Sequence, residues 1–150
     1  MPQSLSSLVV HIVFSTKNRE MVLDESVRSE LERYTAGVVR NKGGLLLAIS
    51  VMLDHVHLLL ELPRTESASA ILRDIKTGTS RWLRGQSPLF ESFRWQRGYA
   101  IFSVSRSARK KVERYIVNQA EHHKRLTFMD EYVRMLRGHH LDFDERYLWD

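Results

Sequence analysis

The stretch LDHVHLLLEL, residues 53–62, places His55 and His57 at alternate positions of a strongly apolar segment. Side chains alternate across a β-strand, so the two imidazoles share one face and stand roughly 7 Å apart at their Cα atoms. Two imidazoles at that spacing can bind one divalent ion. A His-x-His pair alone is more typical of polar residues on a half-exposed face, but the apolar flanks here indicate a central strand. The pair predicts a metal site if a third ligand lies nearby.

The segment SARKKVERYIVNQAEHHK, residues 107–124, offers a candidate ligand and a candidate nucleophile. Tyr115 and Gln119 are four residues apart, so on a helix they lie on one face, one turn apart. A tyrosine hydroxyl can form covalent intermediates, and an amide oxygen can bind a metal ion. A tyrosine at helical spacing is far more commonly a core residue, so this spacing alone leaves both interpretations open.

The charge of the chain suits a polyanionic partner. Its 150 residues include 23 Lys and Arg against 18 Asp and Glu, a net charge of +5 at pH 7. Arg109, Lys110 and Lys111 crowd the start of the tyrosine helix, where positive side chains oppose the helix macrodipole by roughly 0.3 kcal/mol or more each. A phosphate backbone would use this charge, and a solvated helix face is the alternative.

The composition is that of a globular protein. Hydrophobic residues make up 43% and charged residues 27%, and the length suits one domain over residues 1–150. The absence of cysteine excludes disulfides and thiolate metal sites, and it fits a reducing cytosol. The longest apolar run, residues 45–53, is too short to span a bilayer, and the N-terminus MPQSLSS lacks a signal-peptide pattern. We therefore expect a cytoplasmic protein without a membrane partner.

The hydrophobic pattern predicts the order β-α-β-β-α-β followed by further helices. Strands are expected at 8–15, 45–53, 55–62 and 98–105, and helices at 67–84, 107–124 and 127–138. The first helix is expected to start at an Asp24 N-cap, with Val27, Leu31, Tyr34 and Val38 recurring along one apolar face. This order predicts an α+β, ferredoxin-like fold: an antiparallel four-stranded sheet with helices on one face and additional C-terminal helices, one bearing Tyr115. The architecture hosts many activities, so it does not give the function.

Several stretches together resemble the IS200/IS605-type transposases, single-tyrosine members of the HUH nuclease superfamily. The resemblance covers nearly the whole chain in the family's order, with HIVFSTKNR at 11–19, LDHVHLLLEL, WQRGYAIFSVS at 95–105, ERYIVNQAEHHKRLTF at 113–128 and the tail FDERYLWD. The related transposases of repetitive extragenic palindromes usually carry Asn-Pro where this chain has Asn118-Gln119. The sequence therefore favours the insertion-sequence branch.

The resemblance implies a role for each of four residues. His55 and His57 match the histidines of the HUH motif, Tyr115 matches the nucleophile, and Gln119 matches the third metal ligand. The implied activity is cleavage and rejoining of single-stranded DNA at insertion-sequence ends through a 5′-phosphotyrosine intermediate. The implied cofactor is Mg²⁺ or Mn²⁺, and no nucleotide cofactor is expected.

The resemblance also implies two partners. One is single-stranded DNA with a hairpin near each element end, and the other is a second copy of the chain whose tyrosine helix completes the active site. Splayed bases require aromatic platforms and a basic channel. The DNA-binding candidates, each of which could equally be a solvated surface residue, are Lys17, Arg19, Arg73, Lys76, Trp95, Arg97, Arg109, Lys110 and Lys111.

Two other functions fit the same residues. A catalytically retired or host-adapted protein of this fold would bind single-stranded DNA or RNA hairpins without cleaving them, although intact His55, His57 and Tyr115 argue against it. A small metal-dependent hydrolase would use water as the nucleophile and leave Tyr115 with a structural role. A covalent protein–DNA adduct would distinguish transposition from both.

Overall fold

The computed structural model describes residues 2–150 and contains one four-stranded antiparallel sheet. The strands are β1 (Val9–Ser15), β2 (Leu45–Val51), β3 (His55–Glu61) and β4 (Ala100–Ser103), and their order in the sheet is β2-β3-β1-β4. The helices are α1 (Glu25–Asn41), α2 (Ala68–Arg84), α3 (Arg109–Val117), α4 (Gln119–His122) and α5 (Phe128–Gly138). The predicted β-α-β-β-α-β order and antiparallel sheet are confirmed. None of the helices within residues 2–150 has the length and apolar character needed to cross a membrane.

The main core lies between one face of the sheet and helices α1 and α2. Ile12 and Phe14 of β1 and Leu58 of β3 are almost fully buried there. Helix α1 begins as predicted, because the Asp24 side chain accepts a hydrogen bond of 3.0 Å from the Ser26 backbone N–H. Even-numbered residues of β3 therefore face this core, which turns His55 and His57 to the opposite face.

The opposite face of the sheet is covered as well. Val9 and Leu59 pack against Ile116 of α3, while Val13 packs against α5. The prediction of helices on one face was incomplete, because β1 and β3 carry apolar side chains at odd positions too and both faces must be buried. The residues between α3 and α5 consequently meet the face that carries the two histidines.

The predicted helix over residues 107–124 is divided in two. Asn118 adopts φ −96° and ψ 19°, and its N–H bonds back to the Arg114 and Ile116 carbonyls, so α3 ends and the short α4 begins at Gln119. Asparagine is a weak helix former whose side chain competes for backbone hydrogen bonds. The prediction of one continuous helix was wrong, although Gln119 still lies beside Tyr115.

Candidate active site

The two strand histidines are buried and held from behind by polar partners. His55 is 1% exposed and its Nδ1 lies 2.7 Å from the Asp54 carboxylate. His57 is fully buried and its Nδ1 lies 2.8 Å from His11 Nε2. With both Nδ1 atoms occupied by these partners, the two Nε2 atoms face a common centre. This arrangement is characteristic of metal-binding histidines, in which the second nitrogen is fixed by a hydrogen-bond partner.

Gln119 directs its carbonyl oxygen at the same centre. Its Nε2 donates to Glu131 Oε2 at 3.0 Å, and its Oε1 lies 3.2 Å from His55 Nε2. When the proton of His55 is on Nδ1 and donated to Asp54, the facing His55 and Gln119 atoms are both lone-pair acceptors. Two acceptors that face each other in a buried site favour a cation between them, so these residues fit a divalent ion.

Tyr115 presents its hydroxyl to this centre from α3. The hydroxyl donates to the Glu131 carboxylate, and the tyrosine ring lies 5.9 Å from the His57 ring. Burial, the hydrogen bond to Glu131 and its negative charge together raise the pKa of Tyr115 above its usual value. Tyr115 is therefore a neutral phenol at neutral pH, with its oxygen fixed beside the histidines.

Glu131 of α5 is a site residue that sequence reasoning missed. Its Oε1 lies 3.0 Å from Nε2 of both His57 and His123. Burial would raise the pKa of Glu131, but the hydrogen bonds from His123, His57 and Tyr115 outweigh it and hold the pKa well below its usual range. The available signal was its position beside Phe128 and Tyr132, where a charged residue interrupts the buried stripe of α5.

Four of these side chains converge closely enough to hold one metal ion. His55, His57, His123 and Glu131 each offer one ligand atom, and these atoms lie within 4.8 Å of one another. Imidazole nitrogen and carboxylate oxygen are both ligands of divalent ions. A single chain therefore brings together His55, His57, Gln119 and Tyr115, and it adds His123 and Glu131.

Burial makes protonation of His57 and His11 unfavourable in the folded protein. Burial lowers the pKa of His57 to about 4 even though Glu131 opposes the shift. Burial and the neighbouring His57 lower the pKa of His11 to about 3. Unfolded histidines take up protons near pH 6.5, so between about pH 6.5 and pH 4 the unfolded chain binds more protons than the folded one.

We expect the metal-free protein to lose stability as the pH falls from 6.5 to 5, by up to about 1.4 kcal/mol per pH unit for each histidine. Urea unfolding in the presence of a chelator measures this slope. The hydrogen bond and charge of Glu131 outweigh burial and raise the pKa of His123. This shift opposes the loss of stability, mainly at pH values above 6.5. His11→Gln should flatten the slope and His140→Gln, at an exposed position, should not; equal slopes for both variants would contradict this assignment.

Five of the proposed DNA-binding residues are accessible. Lys17 and Arg97 are exposed and line an open cleft of about 330 Å³ that also contains Trp149. Arg73 is exposed on α2, and Lys110 and Lys111 are exposed on α3. The five residues lie on separate elements, with Arg73 on α2, Lys110 and Lys111 on α3, and Lys17 and Arg97 outside the α-helices.

Lys111 lines a second open cleft, of about 550 Å³, that reaches Tyr115. Arg134 and His139 of the C-terminal region line the same cleft, and both are exposed. The positive side chains of Lys111 and Arg134 in this cleft would attract a phosphate to the tyrosine hydroxyl.

The remaining four candidates are engaged in the fold. Trp95 is buried against Phe14 and its Nε1 donates to Thr79 at 2.9 Å, so the ring is not available to stack on a base. The Lys76 ammonium donates to the Gln96 carbonyl at 2.8 Å, and burial lowers its pKa to about 8. Partners also exist for the other two, since Arg19 lies 5.2 Å over the Trp149 ring and Arg109 pairs with Glu113 at 3.2 Å. The structure places Trp95, which was predicted to be a base platform, in the core, where a large amphipathic ring with a satisfied N–H is favoured.

A family profile described as "Transposase IS200 like" matches residues 4–119. The chain belongs to this family. The ISDra2 transposase TnpA of Deinococcus radiodurans is 26% identical over 117 residues, which cover 75% of this chain and 84% of that protein. The transposase of insertion sequence element IS200 from Salmonella typhimurium is 30% identical over 123 residues, or 76% and 78% of the two chains.

Solved structures confirm the fold of the family. A Deinococcus radiodurans protein assigned as a transposase superimposes with a TM-score of 0.62 at 26% identity, over 79% of this chain and 98% of that chain. A REP-associated tyrosine transposase bound to a REP hairpin superimposes with a TM-score of 0.63 at 17% identity, over 82% and 72%. The matched residues 4–119 include both strand histidines, Tyr115 and Gln119, but they end before Glu131.

Proposed function

We propose that this protein cleaves and rejoins single-stranded DNA at insertion-sequence ends, with Tyr115 as the nucleophile and with Mg²⁺ or Mn²⁺ as cofactor. One observation carries the proposal: the Nε2 atoms of His55 and His57, the Gln119 carbonyl oxygen and the Tyr115 hydroxyl all face one buried centre. Membership in a transposase family implies a DNA strand-transfer enzyme and supports this use of the residues.

The reaction makes and breaks one bond to phosphorus in each step. The Tyr115 hydroxyl loses its proton as its oxygen attacks the scissile phosphate, a bond from phosphorus to tyrosine forms, and the bond to the 3′ oxygen breaks. The 3′ oxygen takes up a proton and leaves as a free hydroxyl, while the 5′ end stays linked to Tyr115. Because the phosphodiester is conserved in this link, a 3′-hydroxyl can reverse the reaction without ATP. The chain's own contribution is to fix the tyrosine oxygen, through Glu131, beside the histidines.

The cofactor would be held by His55, His57 and Gln119. Bound there, a divalent cation would polarise the scissile phosphate and stabilise its developing charge. The amide oxygen of Gln119 favours a hard cation, which supports Mg²⁺ or Mn²⁺ over softer metals. The hydrogen bonds of Asp54 and His11 keep both imidazoles oriented for this role.

The substrate is proposed to be single-stranded DNA with a hairpin near each end. The fold neighbour solved with a REP hairpin supports a hairpin ligand for this sheet and helix arrangement. The open cleft beside Tyr115, with Lys111 and Arg134 in its wall, gives a phosphate access to the nucleophile.

The test is a cleavage assay on oligonucleotides from the genomic sequence that flanks this gene. A single-stranded hairpin substrate with Mn²⁺ should give a covalent adduct that withstands denaturing electrophoresis. The same strand in a perfect duplex, or with a chelator, should give none. Cleavage without an adduct would favour a water-using hydrolase, and binding without cleavage would favour the retired hairpin-binding protein.

A homodimer is proposed because the enzyme must process two DNA ends, and a C₂ pair provides two sites. The family resemblance implies that each tyrosine helix completes the partner's site, whereas in the single chain Tyr115 and Gln119 lie beside the chain's own His55 and His57. A shared site therefore requires α3 and α4 to leave the histidines of their own chain and dock on the partner's sheet, so that the contact between Tyr115 and Glu131 within one chain is lost.

Mixing two inactive variants tests the shared site. Tyr115→Phe and His57→Gln proteins, each inactive alone, are expected to recover cleavage when subunits exchange, because one site of the heterodimer is then intact. Subunit exchange is verified independently with two affinity tags. Exchange without recovery would show that each site is assembled within one chain.

A further inference from the structure

Glu131 is a fully buried carboxylate at the centre of the site. It is 1% exposed, and its Oε1 lies 3.0 Å from His57 Nε2 and 3.6 Å from His55 Nε2. Its other oxygen, Oε2, accepts hydrogen bonds from Gln119 Nε2 at 3.0 Å and from the Tyr115 hydroxyl. One side chain therefore touches both strand histidines, the amide and the nucleophile.

The charge of this carboxylate lacks a permanent positive partner. A buried carboxylate is costly unless it is paired. Within residues 2–150 its ion pairs are with histidines alone, namely His55, His57 and His123. The ligands proposed above, two imidazoles and an amide, are all neutral and would leave a divalent charge uncompensated in a buried site. A cation bound to this carboxylate would compensate both the buried negative charge and the buried divalent charge.

The separations of these atoms suit a shared ion. Neighbouring ligands on an octahedral ion with bonds of about 2.1 Å are about 3 Å apart. The distances from Glu131 Oε1 to His57 Nε2 and from His55 Nε2 to Gln119 Oε1 are 3.0 Å and 3.2 Å. His123 is a weaker candidate, because its side chain is 12% exposed at the rim of the site, whereas His55 and His57 are buried.

We propose that Glu131 is a fourth ligand of the metal ion, in addition to His55, His57 and Gln119. Its Oε1 binds the cation, while its Oε2 holds the Tyr115 hydroxyl, so that one carboxylate fixes the distance between ion and nucleophile. This assignment rests on the metal-dependent function proposed above and extends its ligand set to α5.

Mn²⁺ binding to the DNA-free protein tests the assignment without relying on activity. Free Mn²⁺ is measured by electron paramagnetic resonance for the wild type, Glu131→Gln and the matched control Asp130→Asn, which removes the same charge from an exposed neighbour on the same helix. Glu131→Gln keeps the shape of the side chain and an acceptor for Tyr115. It is expected to weaken Mn²⁺ binding by about tenfold or more, while Asp130→Asn should leave it unchanged.

The outcomes separate this inference from the proposed function. Unchanged Mn²⁺ affinity in a folded Glu131→Gln protein overturns the assignment of Glu131 as the fourth ligand, even if cleavage is lost. If Glu131→Gln does not fold, Glu131→Asp withdraws the oxygens by one methylene and should also weaken binding; unchanged affinity there overturns the assignment equally. His57→Gln is measured alongside, because loss of Mn²⁺ binding in that variant alone would retain the metal site and remove only Glu131 from it.

Discussion

Tyr115→Phe is expected to abolish covalent attachment to DNA completely. The change removes one oxygen atom, which is the atom that would attack phosphorus. The ring should stay in place, since it stacks on the His122 ring at 4.6 Å and packs in the cluster that contains Ile116. Denaturing electrophoresis of protein incubated with a labelled hairpin strand measures the adduct, and a gel-shift assay measures DNA binding separately.

Tyr132→Phe is the matched control for this experiment. Tyr132 lies on α5, next in sequence to Glu131, and is 2% exposed, so the same hydroxyl is removed from a buried neighbour of the site. It should keep both adduct formation and DNA binding. An adduct that persists in Tyr115→Phe at the wild-type level would remove the tyrosine from its proposed role.

His57→Gln is expected to lower the cleavage rate by about 100-fold or more, because it removes one metal ligand and the hydrogen bond to Glu131. Rates with Mg²⁺ and with Mn²⁺, compared with those of His140→Gln, measure the effect. A wild-type rate with either metal in His57→Gln would contradict the metal assignment.

Glutamine is chosen over alanine at this position for a structural reason. His57 lies off the row of β3 side chains that faces the main core. In the structure α5 covers it, and it is fully buried with hydrogen bonds to His11 and Glu131. Alanine would leave a cavity, take away the hydrogen-bond partner of His11 Nε2 and remove one of the hydrogen bonds to Glu131, so we expect His57→Ala to destabilise the protein by about 2 kcal/mol or more.

The sequence predicted the strand pair of histidines because alternation is a local property. Residues that are two positions apart on a strand share a face, whatever the rest of the chain does. Strand β3 carries His55 and His57 in this way, as expected. The same holds for Tyr115 and Gln119, whose spacing of four brings them together even though Asn118 ends α3 between them.

The rest of the site depends on contacts that span the chain. His11 meets His57 across 46 residues, because the β1–β3 register places His11 opposite Leu59 and diagonal to His57. Glu131 meets His57 across 74 residues, after α5 folds over the sheet. Neither register nor helix docking can be read from local periodicity.

Residue type alone does not show whether a side chain is available to bind DNA, because its contacts in the fold decide that. Trp95 and Lys76 have the side chains expected at a nucleic-acid surface, yet one completes the core and the other caps backbone carbonyls. Trp95 bonds to Thr79 of α2, and Lys76 of α2 bonds to carbonyls of the loop at residues 96–98. Each partner therefore lies in a different segment of the chain from the residue that it binds. The exposed basic residues Lys17, Arg97 and Lys111 remain predictions for the DNA path.

The central claim is that Tyr115 becomes covalently linked to the 5′ end of a cleaved single strand. The most direct measurement is mass spectrometry of the wild-type protein after incubation with its flanking hairpin strand and Mn²⁺, digestion, and mapping of the nucleotide-modified peptide. The account predicts a modification on Tyr115 and a free 3′-hydroxyl on the released strand. A modification on Tyr132 or Tyr147 instead, or cleavage that leaves every tyrosine unmodified, would contradict it.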